Sequence, residues 1–264
     1  MTIAALPMYD WPEVSHAVDR LWKSVAVAAL PLGLPVPAEL TRRDPPESIW
    51  LHPELIVGQT CGLPLVQRLL DHVVVLGTFA FDLPDTDPGD YHSVVVVAES
   101  SPCGSLADLR GGVVAINARD SQSGHAALQY GVAPLAQGGR FFGSAIETLS
   151  HRASIAAVAD GSADVAAIDA VSWLLALDHD PAAHTLRVLT RTQPTPGLPL
   201  ITSLDHEALR LDLITAIRRG IAALDHTSRR ALHIEGFEPH TGDDYTVIRQ
   251  RLTEAEDLGY PTVA

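Results

Sequence analysis

The chain has 264 residues and a formal net charge of −14, and 47% of its residues are hydrophobic while 19% are charged. This composition excludes an intrinsically disordered chain, because enough apolar side chains are present to build a core. The scattered acidic charge excludes a nucleic-acid-binding or anionic-membrane surface, since both need clustered lysine and arginine. A small anionic ligand is not excluded, because a helix N-terminus can hold an anion whatever the net charge.

Strands and helices are predicted to alternate along the whole chain. Asp10, Pro12 and Glu13 have the residue types of a helix start, with an N-cap, a first-turn proline and a capping-box acid. Short β-rich runs predict strands at residues 3–8, 49–57, 73–81, 94–98, 113–117, 164–169, 186–190 and 196–203. Helical spacing of apolar residues predicts helices at 14–25, 63–70, 155–160, 171–177, 209–224 and 245–258, with a short one after Ser100 and another after His125.

This alternation indicates an α/β fold with mainly parallel sheets. Binding sites in such folds lie at the carboxyl ends of strands, where helices begin. Four turns are therefore candidates for function, namely those after Met8, Val57, Asn117 and Ile168.

The turn Ser121-Gln122-Ser123-Gly124 is the most informative of these turns. It follows a predicted strand and opens a helix, so hydroxyl groups and backbone N–H groups converge there at the positive end of the helix dipole. The pattern favours an anion or carboxylate cradle. Plain N-capping by one of the serines is an equally good interpretation.

Other residues at predicted strand ends are further candidates, and each also has an ordinary structural interpretation. Thr60 could cap the helix that follows and offer its hydroxyl to a ligand. A thiolate at Cys61 would be favoured near that helix start, but a small buried thiol is the preferred interpretation. His151 could donate to an anion or be a solvated loop residue, and Asp169 could face a ligand or cap a helix. Tyr9 and Tyr91 could offer phenols or simply pack.

The cysteines and histidines indicate neither a metal nor a cofactor. Cys61 and Cys103 are too few for a disulfide framework or a four-cysteine zinc site, and no histidine pair has metal-ligand spacing. The first ten residues lack the regions of a secretory signal, and no apolar run is long enough for a membrane span. We expect no membrane insertion and a cytoplasmic location for the chain as it stands, or a periplasmic one if an upstream signal was missed or removed.

Taken in order and at their intervals, segments 3–9, 58–65, 117–124, 150–169 and 196–202 resemble the phosphate/phosphonate-type periplasmic substrate-binding proteins of ABC transporters. The resemblance implies a type II periplasmic-binding fold, in which two α/β lobes joined by two crossover strands close around a ligand. The crossover strands would be 94–98 and 198–202. Lobe one would comprise residues 1–96 plus 200–264, and lobe two would comprise 97–199.

The same resemblance implies ligand-binding roles for individual residues. Ser121, Gln122 and Ser123 match a hydroxyl-rich turn for phosphonate oxygens, and Gln122 departs from the usual threonine there. His151 matches a histidine that contacts the oxyanion, and Asp169 matches an acidic residue that meets a ligand amine or a protonated oxygen. Tyr9 and Thr60 match positions in lobe one.

The leading hypothesis is a solute-binding protein for a small anion or zwitterion, phosphonate-like or carboxylate, with an ABC permease as a possible partner. The alternative is a cytosolic enzyme on the same fold, in which Cys61 or Asp169 acts with His151. A cytosolic ligand sensor that signals through another protein is a third hypothesis.

Overall fold

The computed structural model describes residues 2–263, and the chain divides into two compact units. Unit 1 comprises residues 1–90 and 196–246, and unit 2 comprises 91–195 and 247–264. The chain therefore passes from one unit to the other three times, after Asp90, Thr195 and Thr246. A two-stranded ladder (Asp90–Tyr91 with Thr195–Pro196) is formed by the residues at the first two passages.

The strands are, in chain order, β1 (Ile3–Ala5), β2 (Leu55–Gln59), β3 (Val73–Phe81), β4 (Asp90–Tyr91), β5 (Ser93–Ala98), β6 (Val113–Ile116), β7 (Ser144–Glu147), β8 (Val165–Asp169), β9 (Leu186–Arg191), β10 (Thr195–Pro196), β11 (Pro199–Ser203) and β12 (Ile234–Glu238). The helices are α1 (Ser15–Ala29), α2 (Pro46–Trp50), α3 (Gly62–Pro64, continued by a π-turn over Leu65–Leu69), α4 (Ala127–Val132, preceded by a π-turn over Gln122–Ala126), α5 (His151–Ala159), α6 (Ala170–His179), α7 (Arg210–Ala223), α8 (His226–Ala231) and α9 (Thr246–Asp257). Short 3₁₀ turns lie at Leu30–Leu32, Leu106–Leu109, Ala133–Leu135, Pro181–Thr185, Leu204–Leu209 and Gly242–Tyr245.

Each unit is built on one five-stranded mixed sheet. In unit 1 the order is β1-β2-β11-β3-β12, and β11 runs antiparallel to both β2 and β3. In unit 2 the order is β7-β6-β8-β5-β9, with β6 parallel to β7 and β8 and with β5 antiparallel to β8 and β9. Because β1 is parallel to β2, strands β1, β2 and β3 share one direction, as do β6, β7 and β8.

The expectation of mainly parallel sheets is wrong. Alternation with helices gives β1, β2 and β3 one direction within unit 1, and β6, β7 and β8 one direction within unit 2. Strands β5 and β11 differ because the chain enters each of them from the other unit. Neither strand is reached through a crossover helix from its sheet neighbours, so nothing forces a parallel direction. The segments predicted as crossover strands, 94–98 and 198–202, are largely these two inner sheet strands.

One local prediction in unit 1 is confirmed in part and another is wrong. Residues 49–57 were expected to hold a strand, and β2 does begin within them at Leu55, but Ile49 and Trp50 end helix α2, which is favoured by Pro46 at its first position. Asp10 does not cap α1, whose N-cap is Val14. Asp10 instead accepts a hydrogen bond from Arg42 Nε at 2.5 Å. Helix α8 and strand β12 were not predicted.

The C-terminal segment packs with unit 2, whereas the family resemblance implied that all of residues 200–264 belong to lobe one. Ala255, Tyr260 and Val263 are buried in the hydrophobic cluster of unit 2, beside residues such as Val95 and Leu128. Gln129 Nε2 donates to Tyr260 O at 3.0 Å, which fixes the end of the segment. Cys61 belongs to unit 1 and Cys103 to unit 2, and neither forms a disulfide.

No helix within residues 2–263 combines the length and the apolar character needed to cross a bilayer. The longest, α1, packs its buried face against α7 at a close crossing. At that crossing a Cβ on Gly220 would lie 2.7 Å from both the Cα and the N atom of Val25. Glycine is therefore required for the two helix backbones to approach.

We expect Gly220→Ala to lower the free energy of unfolding by about 1–3 kcal/mol, because the added methyl forces α1 and α7 apart. Gly131→Ala is the matched control, since Gly131 is also helical and, apart from its chain neighbours and its own helix backbone, no atom lies within 4 Å of its Cβ position. That control is expected to stabilise the protein by about 0.5–1 kcal/mol, as alanine does in an unhindered helix. Chemical denaturation of both variants checks this, and a stabilised Gly220→Ala variant would contradict the close crossing.

Candidate functional site

The site in unit 2 is built at the end of three parallel strands. Strand β6 leads into Asn117, β7 leads through Thr148 to His151, and β8 ends at Asp169. Because these strands run in the same direction, their carboxyl ends meet at one edge of the sheet. The antiparallel β5 begins at this edge, where Ser93 pairs with Asp169.

The turn at 121–124 opens the helix that follows β6. Ser121 is the N-cap, and its Oγ accepts a hydrogen bond from Gly124 N at 3.0 Å. The first turn is π-helical, since Ala126 N donates to Ser121 O at 3.1 Å. The first N–H groups of a helix have no acceptor within it, and π-turns are frequent at functional sites. Both the capping and the cradle interpretations of the turn are compatible with this geometry.

Gly124 lets the turn pack closely against two neighbouring side chains. A Cβ at this position would lie 1.8 Å from Asn117 Oδ1 and 3.2 Å from His151 Cε1. The first distance is far shorter than any non-bonded contact, so a side chain at this position would displace the Asn117 amide. Asn117 and His151 are therefore both held beside the first turn of the α4 helix.

Ser123 and His151 form the central polar contact of the site. Ser123 Oγ and His151 Nε2 are 2.9 Å apart, although 28 residues separate them in the chain. Ser93 Oγ, at the start of β5, donates to Ser123 O at 2.8 Å and so fixes the backbone of the turn. Ser123 and His151 were predicted separately from the sequence, whereas Ser93 and Asn117 were not predicted as site residues.

His151 is the first residue of α5, whose N-cap Ser150 accepts from Ala153 N at 3.0 Å. Burial lowers the pKa of His151 from its ordinary value of 6.5 to about 4, because desolvation penalises the imidazolium. His151 is therefore neutral at neutral pH. Burial also lowers the pKa of the nearby His125, and the positive charge of Arg119 lowers it further.

Asp169 lies at the same edge as the N-cap of α6. Its Oδ1 accepts hydrogen bonds from Val171 N at 2.8 Å and from Ser172 N at 3.0 Å, and the residue is 2% exposed. The capping role is thus confirmed, whereas a contact with a ligand stays a prediction. Gln122 and Tyr91 are both buried, and their ligand contacts also stay predictions.

The cations near this edge lie at the surface. Arg152 Nε pairs with Asp180 at 3.0 Å, and Arg119 Nε lies 3.9 Å from Glu147. Over residues 2–263, no lysine or arginine side chain is buried. An anion at this edge would consequently be held by N–H groups, hydroxyls and an imidazole.

The candidates in unit 1 follow the parallel strands β1 and β2. Thr60 is buried and its N–H donates to Pro199 O at 3.0 Å, while Cys61 is the N-cap residue of α3. The Tyr9 ring packs edge-on against Phe81, with centroids 5.3 Å apart. Their roles toward a ligand stay predictions. Within the described part of the chain, no group of three or more His, Cys, Asp or Glu residues is placed to hold a metal ion.

The low pKa of His151 predicts a pH-dependent contribution to stability. Between pH 6.5 and about 4 the unfolded chain binds the proton first, so the free energy of unfolding should fall as the pH is lowered through that window. The full effect is up to about 3 kcal/mol. His151→Gln should flatten this part of the profile, which denaturation at several pH values measures. His125 contributes in the same direction, so some slope should remain.

The exposed His16 provides the matched control. His16→Gln should keep the wild-type pH profile, and an equal flattening in both variants would contradict the buried, neutral state of His151.

Comparisons with solved structures confirm the predicted type II periplasmic-binding fold class. PhnD1 from Prochlorococcus marinus, solved with methylphosphonate, is 17% identical and superposes with a TM-score of 0.74 over 97% of this chain and 98% of that one. A binding-protein component of a phosphonate ABC transporter from Pseudomonas aeruginosa is 18% identical, with a TM-score of 0.67 over 92% and 83%. The periplasmic aliphatic sulphonate-binding protein SsuA from Escherichia coli is 17% identical, with a TM-score of 0.55 over 93% and 92%.

A comparison with curated protein sequences finds no match. Residues 59–245, which include every site residue of unit 2 described above, match the model of a family described as ABC transporter, phosphonate, periplasmic substrate-binding protein. This match covers more than half of the chain and confirms the resemblance inferred from the ordered motifs. The chain therefore belongs to the family of phosphonate periplasmic substrate-binding proteins of ABC transporters.

Proposed function

We propose that this protein binds a small phosphonate-like anion and that the unit 2 edge holds its oxyanion group. Ser121, Gln122, Ser123 and His151 are the proposed contacts. The observation that carries the proposal is the 2.9 Å contact between Ser123 Oγ and His151 Nε2 at the start of a helix. It joins a hydroxyl and a neutral imidazole at the end of the helix that favours negative charge.

The surroundings support a ligand of low charge. Asp169 is buried at the same edge, while the nearby Arg119 and Arg152 lie at the surface. Hydrogen-bond donors then supply most of the interactions with the ligand. They select a ligand by the positions of its acceptor oxygens. A zwitterion would place its ammonium group near the Asp169 carboxylate, and a plain phosphonate or a carboxylate would not need that contact.

Tyr9, Thr60, Cys61 and Tyr91 are proposed to contact the remainder of the ligand. Family membership further supports action with an ABC permease and in the periplasm. The enzymatic alternative required His151 to act with Cys61 or Asp169. His151 Nε2 instead contacts Ser123 Oγ, and Asp169 Oδ1 caps α6, so the binding function is the better supported.

Thermal unfolding with methylphosphonate, phosphate and acetate tests the proposal. A ligand that binds only the folded protein raises the melting temperature, and a concentration 100-fold above Kd adds about 2.7 kcal/mol. We expect methylphosphonate to raise the melting temperature of the wild type. Ser123→Ala should weaken its affinity by about tenfold or more, because a hydrogen bond to a charged group contributes about 1.5–3 kcal/mol.

Ser144→Ala is the matched control, since Ser144 is an exposed serine of unit 2 at the start of β7. This variant should bind like the wild type. If no anion shifts the melting temperature, the proposed function is wrong, and if Ser123→Ala binds normally, the oxyanion group lies elsewhere.

A further inference from the structure

The chain turns sharply just before His151, between strand β7 and helix α5. Strand β7 ends at Glu147 and α5 begins at His151, so three residues complete the turn. The middle one, Leu149, has a φ of 70°. This left-handed conformation is unusual for leucine, because its Cβ approaches the following carbonyl oxygen. Leu149 is also 83% exposed, so burial of its side chain does not offset the strain.

The hydrogen bonds of Thr148 hold this turn in place. Its backbone N–H donates to Ile116 O at 2.9 Å, and its Oγ1 lies 3.1 Å from the same oxygen. Ile116 is the last residue of β6. Thr148 Oγ1 also lies 2.6 Å from Ser154 Oγ in α5 and 3.2 Å from Ser150 O, the carbonyl of the N-cap. One threonine therefore links the end of β6 to the first turn of the helix that carries His151.

The count of hydrogens shows why the Thr148 hydroxyl is difficult to replace. A hydroxyl has one hydrogen, so Thr148 Oγ1 donates to a backbone carbonyl and accepts from Ser154 Oγ. Ser154 is fully buried, so no solvent water is at hand to take the place of Thr148. Without the threonine hydroxyl, the buried Ser154 hydroxyl loses its acceptor and Ile116 O loses one donor. Both losses destabilise the first turn of α5 in its present position.

We propose that Thr148 is a positioning residue, whose hydroxyl holds His151 where it can contact both Ser123 and the bound anion. This inference rests on the proposed function and deepens it, because it adds the residue that places one of the proposed ligand contacts. Ser123 Oγ and His151 Nε2 are 2.9 Å apart, and a shift of α5 by about 1 Å would take them beyond hydrogen-bond distance. Strained backbone that neighbouring hydrogen bonds hold in place is typical of ligand sites, so the left-handed Leu149 belongs to the same device.

The first experiment needs no ligand and measures the pKa of His151 by NMR, with His151→Gln to identify its signal. Thr148→Val removes the hydroxyl, so water should reach the ring and the pKa should rise from about 4 toward 6.5. Thr148→Ser keeps the hydroxyl and should keep the low pKa. Thr253→Val is the control, since Thr253 is exposed in α9 and donates to Arg249 O. None of these substitutions changes a charge. An unchanged pKa in Thr148→Val, or an equal rise in Thr148→Ser, would overturn the positioning role.

The second experiment changes the turn without removing a buried group. Asparagine tolerates the left-handed conformation, whereas β-branched valine strongly disfavours it. Leu149→Asn should therefore raise the melting temperature and keep the pKa of His151 at about 4. Leu149→Val should lower the melting temperature and raise the pKa of His151, because the turn no longer holds the start of α5. An unchanged pKa in Leu149→Val, or a melting temperature of Leu149→Asn no higher than that of the wild type, would overturn the role of the turn.

Titration calorimetry with methylphosphonate separates failure of the positioning role from failure of the proposed function. Thr148→Val should bind methylphosphonate about tenfold more weakly than the wild type, because His151 no longer meets the anion in the same place. Thr148→Ser and Thr253→Val should bind like the wild type. If the wild type does not bind while Thr148→Val raises the pKa of His151, the proposed function fails and the placement of His151 by Thr148 stands. If the wild type and Thr148→Val bind equally well, the function stands and the positioning role fails.

Discussion

The common direction of β6, β7 and β8 is the constraint on which the unit 2 site depends. Because these strands are parallel, the segments that follow them leave the sheet at one edge, and Asn117, His151 and Asp169 are brought there together. The antiparallel β5 adds Ser93 to that edge through its first residue. A sheet with β5 in the parallel direction would place Ser93 at the opposite edge and remove its hydrogen bond to Ser123 O.

The close approach at Gly124 converts this shared edge into a polar cluster. A side chain at that position would displace Asn117 and crowd His151, so the absence of a Cβ is what lets the helix start lie against both. This packing buries polar atoms, and burial is what lowers the pKa of His151. The result is a cluster of hydroxyl, amide and imidazole groups at an edge where no lysine or arginine side chain within residues 2–263 is buried.

Much of this arrangement could be predicted from local sequence. Strand ends followed by capping residues marked Ser121, Ser123, His151 and Asp169, because turn and cap chemistry depends on near neighbours along the chain. Asn117 carried a weak sequence signal, because it is the polar residue that follows a predicted strand just before the turn. Ser93 carried none, since the strand it begins was expected to run in the parallel direction. The contact between Ser123 and His151 joins residues 28 positions apart, which no local pattern encodes.

The sequence by itself determined the alternation of strands and helices, the candidate turns and the family, because these depend on periodicity, capping and ordered motifs. Only the tertiary structure decided the directions of β5 and β11, the packing of residues 247–264 with unit 2, and the partners of His151. The physical reason is the same in each case. Strand direction, core packing and the pKa of a buried group depend on segments that are distant in the chain and meet only in the folded protein.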